Sequence, residues 1–405
     1  MLGIYTVRAG SRALFQNPGS SFRSISSFRQ QPASLPVRAE FSTRREVLLG
    51  ASGLVAIQAI KPSGSRSYSQ TAAAAAMSGV STQDLEAACA EIVPSLSGES
   101  VKGNSGALAT IGGCREYTGA PFFASMTCLK VGADLSHTFC TEGAATVIKS
   151  YSPELIVHPY LPDSHDLKIN PETQKDEAAA AVKEAVGAMN HWMPRFNCVV
   201  IGPGLGRDEL VHDTVKQTIK DLKERNQFFL VDADGLYITT RDPELIKGYR
   251  NVVMTPNKNE YKRLGDQLGI DVEDPDSQKR IVEALGGPTI VRKGARDIIM
   301  DPDGGVIEGT DVGCPRRAGG QGDVMSGCVA TFIGWTINWM ERNGKPKDYK
   351  FCDGRVPPLS LAAYGGTLVA RHAAANAFAS QKRSMVAEDL IDQVGYVVDQ
   401  LFDEL

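Results

Sequence analysis

Cys198-Val199-Val200-Ile201-Gly202-Pro203-Gly204-Leu205-Gly206-Arg207-Asp208 is the stretch on which the architecture turns. Its first four residues are an unbroken apolar run, the pattern of a strand covered on both faces; a strand with one wet face would alternate. The glycines let the chain turn sharply, and a helix-like segment opens near Asp208. The same strand–turn–helix reading recurs outward in both directions. Strands are expected at 108–111, 137–140, 154–158, 228–232, 252–255 and 289–292, and helices at 122–131, 177–192, 208–224 and 259–268. This alternation specifies βαβ units and a mainly parallel sheet, an α/β fold.

Beyond Arg292 the pattern changes. Ile298–Met300, the turn-forming Asp301-Pro302-Asp303-Gly304-Gly305 and Val306-Ile307 read as a β-hairpin. Helices are expected at 324–339, 359–380 and 387–402, with a polar surface loop over 341–358. No solenoid period is present. One α/β domain within residues 77–405 accounts for everything after the leader.

Residues 1–76 differ in composition. They hold nine Lys and Arg, two acids and thirteen Ser, a net charge of +7, against −11 for the remainder. Such an Arg- and Ser-rich, acid-poor segment is expected to be a transit peptide for mitochondrion or chloroplast, the alternative being a tail without an address. Arg44-Arg45 before the apolar run 47–56 also resembles an export signal, but the run is too short to span a bilayer. Ala72–Ala76 offers small residues for cleavage, and Met77 could start a cytosolic form.

The whole chain of 405 residues is 42% hydrophobic and 22% charged, with net charge −4. These values exclude a mostly disordered, collagen-like or multi-span membrane protein and give no invitation to nucleic acid. None of the eight cysteines forms a C-x-x-C pair, so buried thiols in a reducing compartment are expected. The sequence sets no oligomeric state, and a homo-oligomer stays open.

Several motifs could carry chemistry. Gly202–Gly206 suits either a phosphate contact or an ordinary tight turn; it departs from G-x-G-x-x-G at Arg207, against a dinucleotide-dependent dehydrogenase. Gly319-Gly320-Gln321-Gly322-Asp323 opens an apolar helix, where backbone donors and the helix dipole favour an anion. Asp323 reads as a general base aimed at a substrate hydroxyl, or as an N-cap. Asn257-Lys258-Asn259-Glu260 reads most simply as a capped helix start, although Glu260 could hold a water of a Mg²⁺–phosphate complex. Lys293 could meet nucleotide phosphates or mark a solvated strand end. Asp232 and Asp234 stand where parallel sheets place their crevice.

In this order the motifs resemble the ATP- or ADP-dependent NAD(P)H-hydrate dehydratases, which have the ribokinase-like three-layer α/β/α fold. The matching stretches are Gly112-Gly113, Tyr117–Pro121, Gly132–Leu135, Ser152–Leu155, Gly202–Asp208, Asp232–Leu236, Thr255–Leu264, Lys293-Gly294 and Gly319–Asp323, across roughly residues 100–380. The resemblance implies a repair enzyme that takes the S epimer of hydrated NADH or NADPH, with ATP (or ADP) as co-substrate and Mg²⁺. It implies Asp323, Gly320 and Gly322 as catalytic. It implies that Gly204, Asn257, Lys258, Asn259, Glu260, Tyr261, Lys262, Arg263 and Asp323 face the hydrate. It implies that Lys293, Gly294, Ala295, Arg296, Asp297, Gly313, Cys314, Pro315, Arg316, Arg317, Ala318, Gly319, Gly320, Gln321 and Gly322 face the nucleotide. Two alternatives remain: a kinase of the same fold acting on a vitamin or sugar hydroxyl, which would yield a stable phosphoester, and a nucleotide-binding protein without catalysis.

Overall fold

Successive side chains of β4 (Cys198–Ile201) enter different cores, as the apolar run predicts. Cys198 and Val200 join one large hydrophobic cluster, and Val199 and Ile201 join another on the opposite face. The computed structural model describes residues 79–96, 105–310 and 312–403. The expected leader over residues 1–76 lies outside them.

The sheet has nine strands: β1 (Ala107–Ile111), β2 (Leu135–Thr141), β3 (Ile156–Leu161), β4, β5 (Phe229–Val231), β6 (Val252–Met254), β7 (Thr289–Arg292), β8 (Ile298–Met300) and β9 (Val306–Glu308). Their order is β3-β2-β1-β4-β5-β6-β7-β8-β9. β1 to β7 are parallel, and β8 and β9 form the antiparallel edge that the turn at 301–305 predicts. In an open sheet of this kind the ligand crevice lies beyond the carboxyl ends of the parallel strands.

In chain order the helices are α1 (Thr82–Ile92), α2 (Gly119–Val131), α3 (Glu142–Tyr151), α4 (Ser164–Leu167), α5 (Lys175–Asn190), α6 (Glu209–Glu224), α7 (Ala233–Arg241), α8 (Lys258–Leu268), α9 (Ser277–Leu285), α10 (Gln321–Arg342), α11 (Phe351–Gly354), α12 (Pro358–Gln381) and α13 (Ala387–Val398). α1, α2, α10, α12 and α13 cover one face of the sheet, and α6 to α9 cover the other. The result is the expected three-layer α/β/α architecture. α10 and α12 are apolar almost all round because they pack on the sheet and on each other. Among the described residues no helix is long and apolar enough to cross a membrane.

Several elements depart from the sequence reading. β3 begins at Ile156 rather than Glu154, and α10 begins three residues before Val324. No helix is expected from the sequence at α1, α3, α4, α7, α9 or α11; each has eleven residues or fewer, too few for a clear helical period. α11, with Phe351 buried, lies inside the stretch 341–358 read as a polar surface loop. All eight cysteines are free, and six are buried.

A buried aromatic stack sits between β2 and β3. His137 Nδ1 and His158 Nε2 lie 2.9 Å apart, with Phe139, Tyr160, Trp192 and Phe196 around them. Burial pushes both imidazoles down to about 4, and for His137 the positive charges of His158 and Arg195 add to it. As pH falls below about 6.5 the unfolded chain takes up protons that the native pair refuses until about 4. Stability is therefore lost across that window. The expected result is a thermal midpoint that drops steeply between pH 6.5 and 4.5, with a shallower drop in the double variant His137→Phe/His158→Phe. Equal slopes in the two proteins would refute the assignment.

Candidate active site

The loops after β1, β4 and β5 meet at the carboxyl end of the parallel strands, and their backbones touch directly. A β-carbon on Gly112 would collide with the carbonyl of Pro203, and one on Gly202 (φ +134°) with the carbonyl of Asp232. Gly204 lies against the Tyr117 backbone: a β-carbon there would sit 2.8 Å from its carbonyl oxygen. The glycine-rich turn after β4 therefore brings three loops into contact, the packing role that its sequence left open beside ligand binding.

Asp232 follows β5 at the N-cap of α7 and is 2% exposed. Its Oδ1 accepts from Lys293 Nζ at 2.7 Å, and its Oδ2 accepts from Ser326 Oγ at 2.6 Å. Ser326 and Asp323 stand on the same end of α10, one turn apart. The N-cap of α10 is Gly320, with φ +90°, so Asp323 occupies the first turn rather than the cap. Lys293 lies against this turn: a β-carbon on Gly322 would sit 3.4 Å from its Nζ. Glycine at 322 thus lets the cation approach the helix N-terminus, whose leading N–H groups have no acceptor within the helix.

The electrostatics of the cluster follow from this crowding. Burial, together with the nearby charges of Asp232 and Asp234, pushes the Asp323 carboxyl up to about 8, against the opposing pull of Lys293. Burial works against the Lys293 ammonium, but Asp232, Glu260 and Asp323 outweigh it and raise its pKa. Glu260 is raised by burial. Asp234 accepts from the Gly206 N–H at 2.9 Å and from Arg207 at 2.6 Å, which ties the β4 loop to α7. Ala233, between the two aspartates, has φ +47°, backbone strain of a kind that gathers at functional sites.

Asp323, Gly322, Lys293 and Glu260 are thus brought together. The remaining residues implied by the resemblance divide. Asn257 caps α8 and forms with Glu260 the expected capping box, and Lys258 and Asn259 are exposed on its first turn. Tyr261 is 2% exposed and packs in the core, while Lys262 pairs with Asp266 on the surface. Arg263 is exposed.

On the nucleotide side, Asp297 is 1% exposed and pairs with Arg371 of α12 at 2.6 Å. The same guanidinium donates to the carbonyls of Ala295, Val312 and Gly294. It also touches the position a side chain on Gly313 would take. Arg371 therefore ties the 293–297 loop to the 312–313 segment, and Asp297 shapes the loop from within. Arg296 and Arg317 are exposed, Pro315 is exposed, and Ala318 packs against the core. Cys314 and Gln321 both bond the Arg316 carbonyl, closing the loop before α10.

Sequence reading did not single out Arg371 or Ser326. Arg371 had a signal: it is the lone cation in the apolar run from Leu359 to Ser380 apart from His372, and such a charge needs a buried partner.

The glycines at the mouth of α10 are not equivalent. An added β-carbon at Gly320 would lie 2.7 Å from both Ala387 and Phe123, on backbone that L residues avoid, whereas at Gly319 it meets nothing within 4 Å. Gly320→Ala is expected to cost about 3 kcal/mol through strain and overpacking. Gly319→Ala is expected to stay within about 0.5 kcal/mol. Paired denaturation curves test the contrast, and equal midpoints would contradict it.

The family model for NAD(P)H-hydrate dehydratase matches residues 108–395. An ATP-dependent (S)-NAD(P)H-hydrate dehydratase of Physcomitrium patens is 42% identical over 338 residues, 79% of this chain and 97% of that one. A ribokinase-like superfamily protein from Enterococcus faecalis superposes with TM-score 0.60 at 20% identity, covering 80% of this chain and 95% of its own. The Bacillus subtilis ADP/ATP-dependent NAD(P)H-hydrate dehydratase, co-crystallised with ATP and Mg²⁺, gives TM-score 0.52 at 17% identity, covering 78% and 97%. At those identities the two structures speak to the fold, which is ribokinase-like. With the match running from β1 into α13 through every loop of the crevice, the chain belongs to the NAD(P)H-hydrate dehydratase family.

Proposed function

We propose that this protein uses ATP to dehydrate the S epimer of hydrated NADH or NADPH, a carbon–oxygen lyase reaction that restores the reduced dinucleotide. The observation that carries the reading is Asp323: a carboxylate strained by burial, at the mouth of a glycine-lined helix N-terminus and beside the Lys293 cation. In its ionised form, which grows as pH rises toward 8, a carboxyl raised to about 8 is a stronger base than an ordinary aspartate.

In this mechanism Asp323 takes the proton from the ring hydroxyl as its oxygen attacks the terminal phosphorus of ATP, with ADP leaving. Gly320, Gln321 and Gly322 N–H groups and Lys293 stabilise charge on the transferring phosphoryl group. The ring nitrogen lone pair then expels phosphate, and loss of a ring proton restores the carbon–carbon double bond. Ser326 and Asp232 act behind this, holding Lys293 against the helix terminus.

The donor set suits a nucleotide-borne magnesium held through water. Both Asp232 oxygens are engaged, but among the described residues Glu260 uses only Oε2, on the Asn257 N–H, which leaves Oε1 for a metal-bound water. When bound, the ion would neutralise phosphate oxygens. The composition of residues 1–76 supports their reading as an organellar leader, with a cytosolic form from Met77.

The test is incubation with hydrated NADH, Mg²⁺ and either ATP or ADP. Return of NADH absorbance with one inorganic phosphate released per turnover is the expected result. A stable phosphoester would instead identify a kinase, and bound nucleotide with no turnover would leave a binding protein.

A further inference from the structure

The second half of the proposed reaction needs a proton acceptor that the first half has used up. In the first step the hydroxyl oxygen bonds to the terminal phosphorus, the bond to ADP breaks, and Asp323 takes the hydroxyl proton. In the second step the carbon–oxygen bond breaks and its electron pair leaves with phosphate, while the ring nitrogen lone pair forms a carbon–nitrogen double bond. The iminium cation so formed has two fates. Loss of a proton from the adjacent ring carbon turns the C–H electron pair into the carbon–carbon double bond and returns the nitrogen its lone pair. Capture by water, which loses a proton, rebuilds the hydrate after ATP has been cleaved without repair. At that moment Asp323 already carries a proton. In the same mechanism the departing phosphate lies against the Lys293 ammonium and the N–H groups of α10, which favour its charged form and weaken it as a base.

The other carboxylates of the crevice differ in what they have left. Asp232 is sealed: its side chain is 2% exposed, and its oxygens are taken by Lys293 and Ser326. Asp297 is 1% exposed and bound to Arg371. Glu260 caps α8 through one oxygen, and its other oxygen is the one suited to a metal-bound water. Asp234 is neither sealed nor assigned elsewhere, with 21% of its side chain exposed. It follows Asp232 across the left-handed Ala233 and stands on the first turn of α7. It accepts from the Gly206 N–H at 2.9 Å, on the glycine turn that floors the crevice, and its charge reaches Asp323. Arg207 donates to its Oδ1 at 2.6 Å. Each carboxylate oxygen has two lone pairs, so both can accept again. Solvent contact serves turnover, because a base that takes a ring proton must pass it to water before the next cycle.

We infer that Asp234 is the proton acceptor of the second step, taking the proton from the ring carbon beside the iminium, with Gly206 and Arg207 holding its carboxylate in place. The inference rests on the dehydratase reading and deepens it by dividing the two proton transfers between two aspartates.

The full-length protein and the variants Asp234→Asn, Asp234→Glu and Arg207→Gln are each given hydrated NADH, Mg²⁺ and ATP, and phosphate release and the return of NADH absorbance are followed together. The parent is expected to form one NADH per phosphate. Asp234→Asn keeps the shape of the side chain but not its basicity. It is expected to release phosphate within about tenfold of the parent rate, while NADH formed per phosphate falls about fivefold or more because water captures the iminium. Asp234→Glu, which keeps a carboxylate, is expected to recover most of that ratio. Arg207→Gln cuts the same tie between the β4 turn and α7 but spares the base, and is expected to hold the ratio near one. A ratio near one in Asp234→Asn, whatever its rate, overturns the inference. So does an asparagine variant with no phosphate release, which puts the residue in the first step. A ratio lowered equally in Arg207→Gln, or a glutamate variant no better than asparagine, identifies a structural tie and overturns it too. Absence of turnover by the unaltered protein overturns the dehydratase reading instead.

Discussion

Asp323→Asn will lower turnover by about three orders of magnitude, the scale of a lost general base, while the KM for ATP changes less than about threefold. Asparagine keeps the shape of the side chain but cannot take the hydroxyl proton. The substitution will also stabilise the protein at alkaline pH. Because the native carboxyl titrates near 8 and the unfolded one near its ordinary value of 3.8, the native state holds a proton that the unfolded state has lost. Stability therefore falls as pH rises from about 4 to 8, by roughly 2 kcal/mol after screening at a half-buried group. Asparagine carries no such penalty, so the thermal midpoint of the variant will exceed that of the parent at pH 8 and match it near pH 4. The same electrostatics predict that kcat/KM rises with pH through an apparent pKa near 8 in the free protein. Asp232→Asn removes a charge that raises the Asp323 pKa, so it will move this limb to lower pH. A variant Asp323→Asn that retains most of its turnover would remove the base from the mechanism.

Arg371→Ala is expected to have the largest structural effect. The ion pair with Asp297 is buried on both sides, at 11% and 1% side-chain exposure, and the guanidinium also satisfies three carbonyls. Removing one partner leaves a buried carboxylate uncompensated, a loss of about 3–5 kcal/mol. The loop 293–297 and the segment around Val312 would lose their common tether, so the KM for ATP should rise tenfold or more in whatever protein remains folded. Arg371→Lys should rescue little, since an ammonium cannot reproduce a planar fork that reaches a carboxylate and three carbonyls at once. Thermal melts and ATP titrations of the two variants decide the matter; a lysine variant with parental stability and ATP affinity would show that charge alone suffices.

The layers of this fold were legible because its strands are buried on both faces. Runs such as Cys198–Ile201 and Thr289–Arg292 leave no polar alternation to confuse with a surface strand. The hairpin over 298–308 was equally readable, from a turn rich in Asp, Pro and Gly. Short helices between strands, α7 above all, were not, because two turns carry too few apolar repeats. At the site, the motif Gly319–Asp323 pointed to the helix terminus, and the structure adds what a linear motif cannot hold. Lys293 and Asp232 are separated by 61 positions, yet they form the ion pair beneath that terminus. Likewise, one window of sequence over Asn257–Arg263 mixes residues of the crevice rim, the core and the outer surface, since a helix turns its side chains through all three.

The contacts of Gly112 with Pro203 and of Gly202 with Asp232 make the bottom of the crevice main chain against main chain. No side chain intervenes there, so no ordinary substitution can enlarge, narrow or recharge that surface without forcing the strands apart. Diversification of substrate preference is therefore channelled to the periphery, onto residues such as the exposed Tyr117, which can vary while the bed beneath it keeps its shape. A designer seeking a new hydroxylated substrate would leave the glycines alone and randomise those peripheral positions.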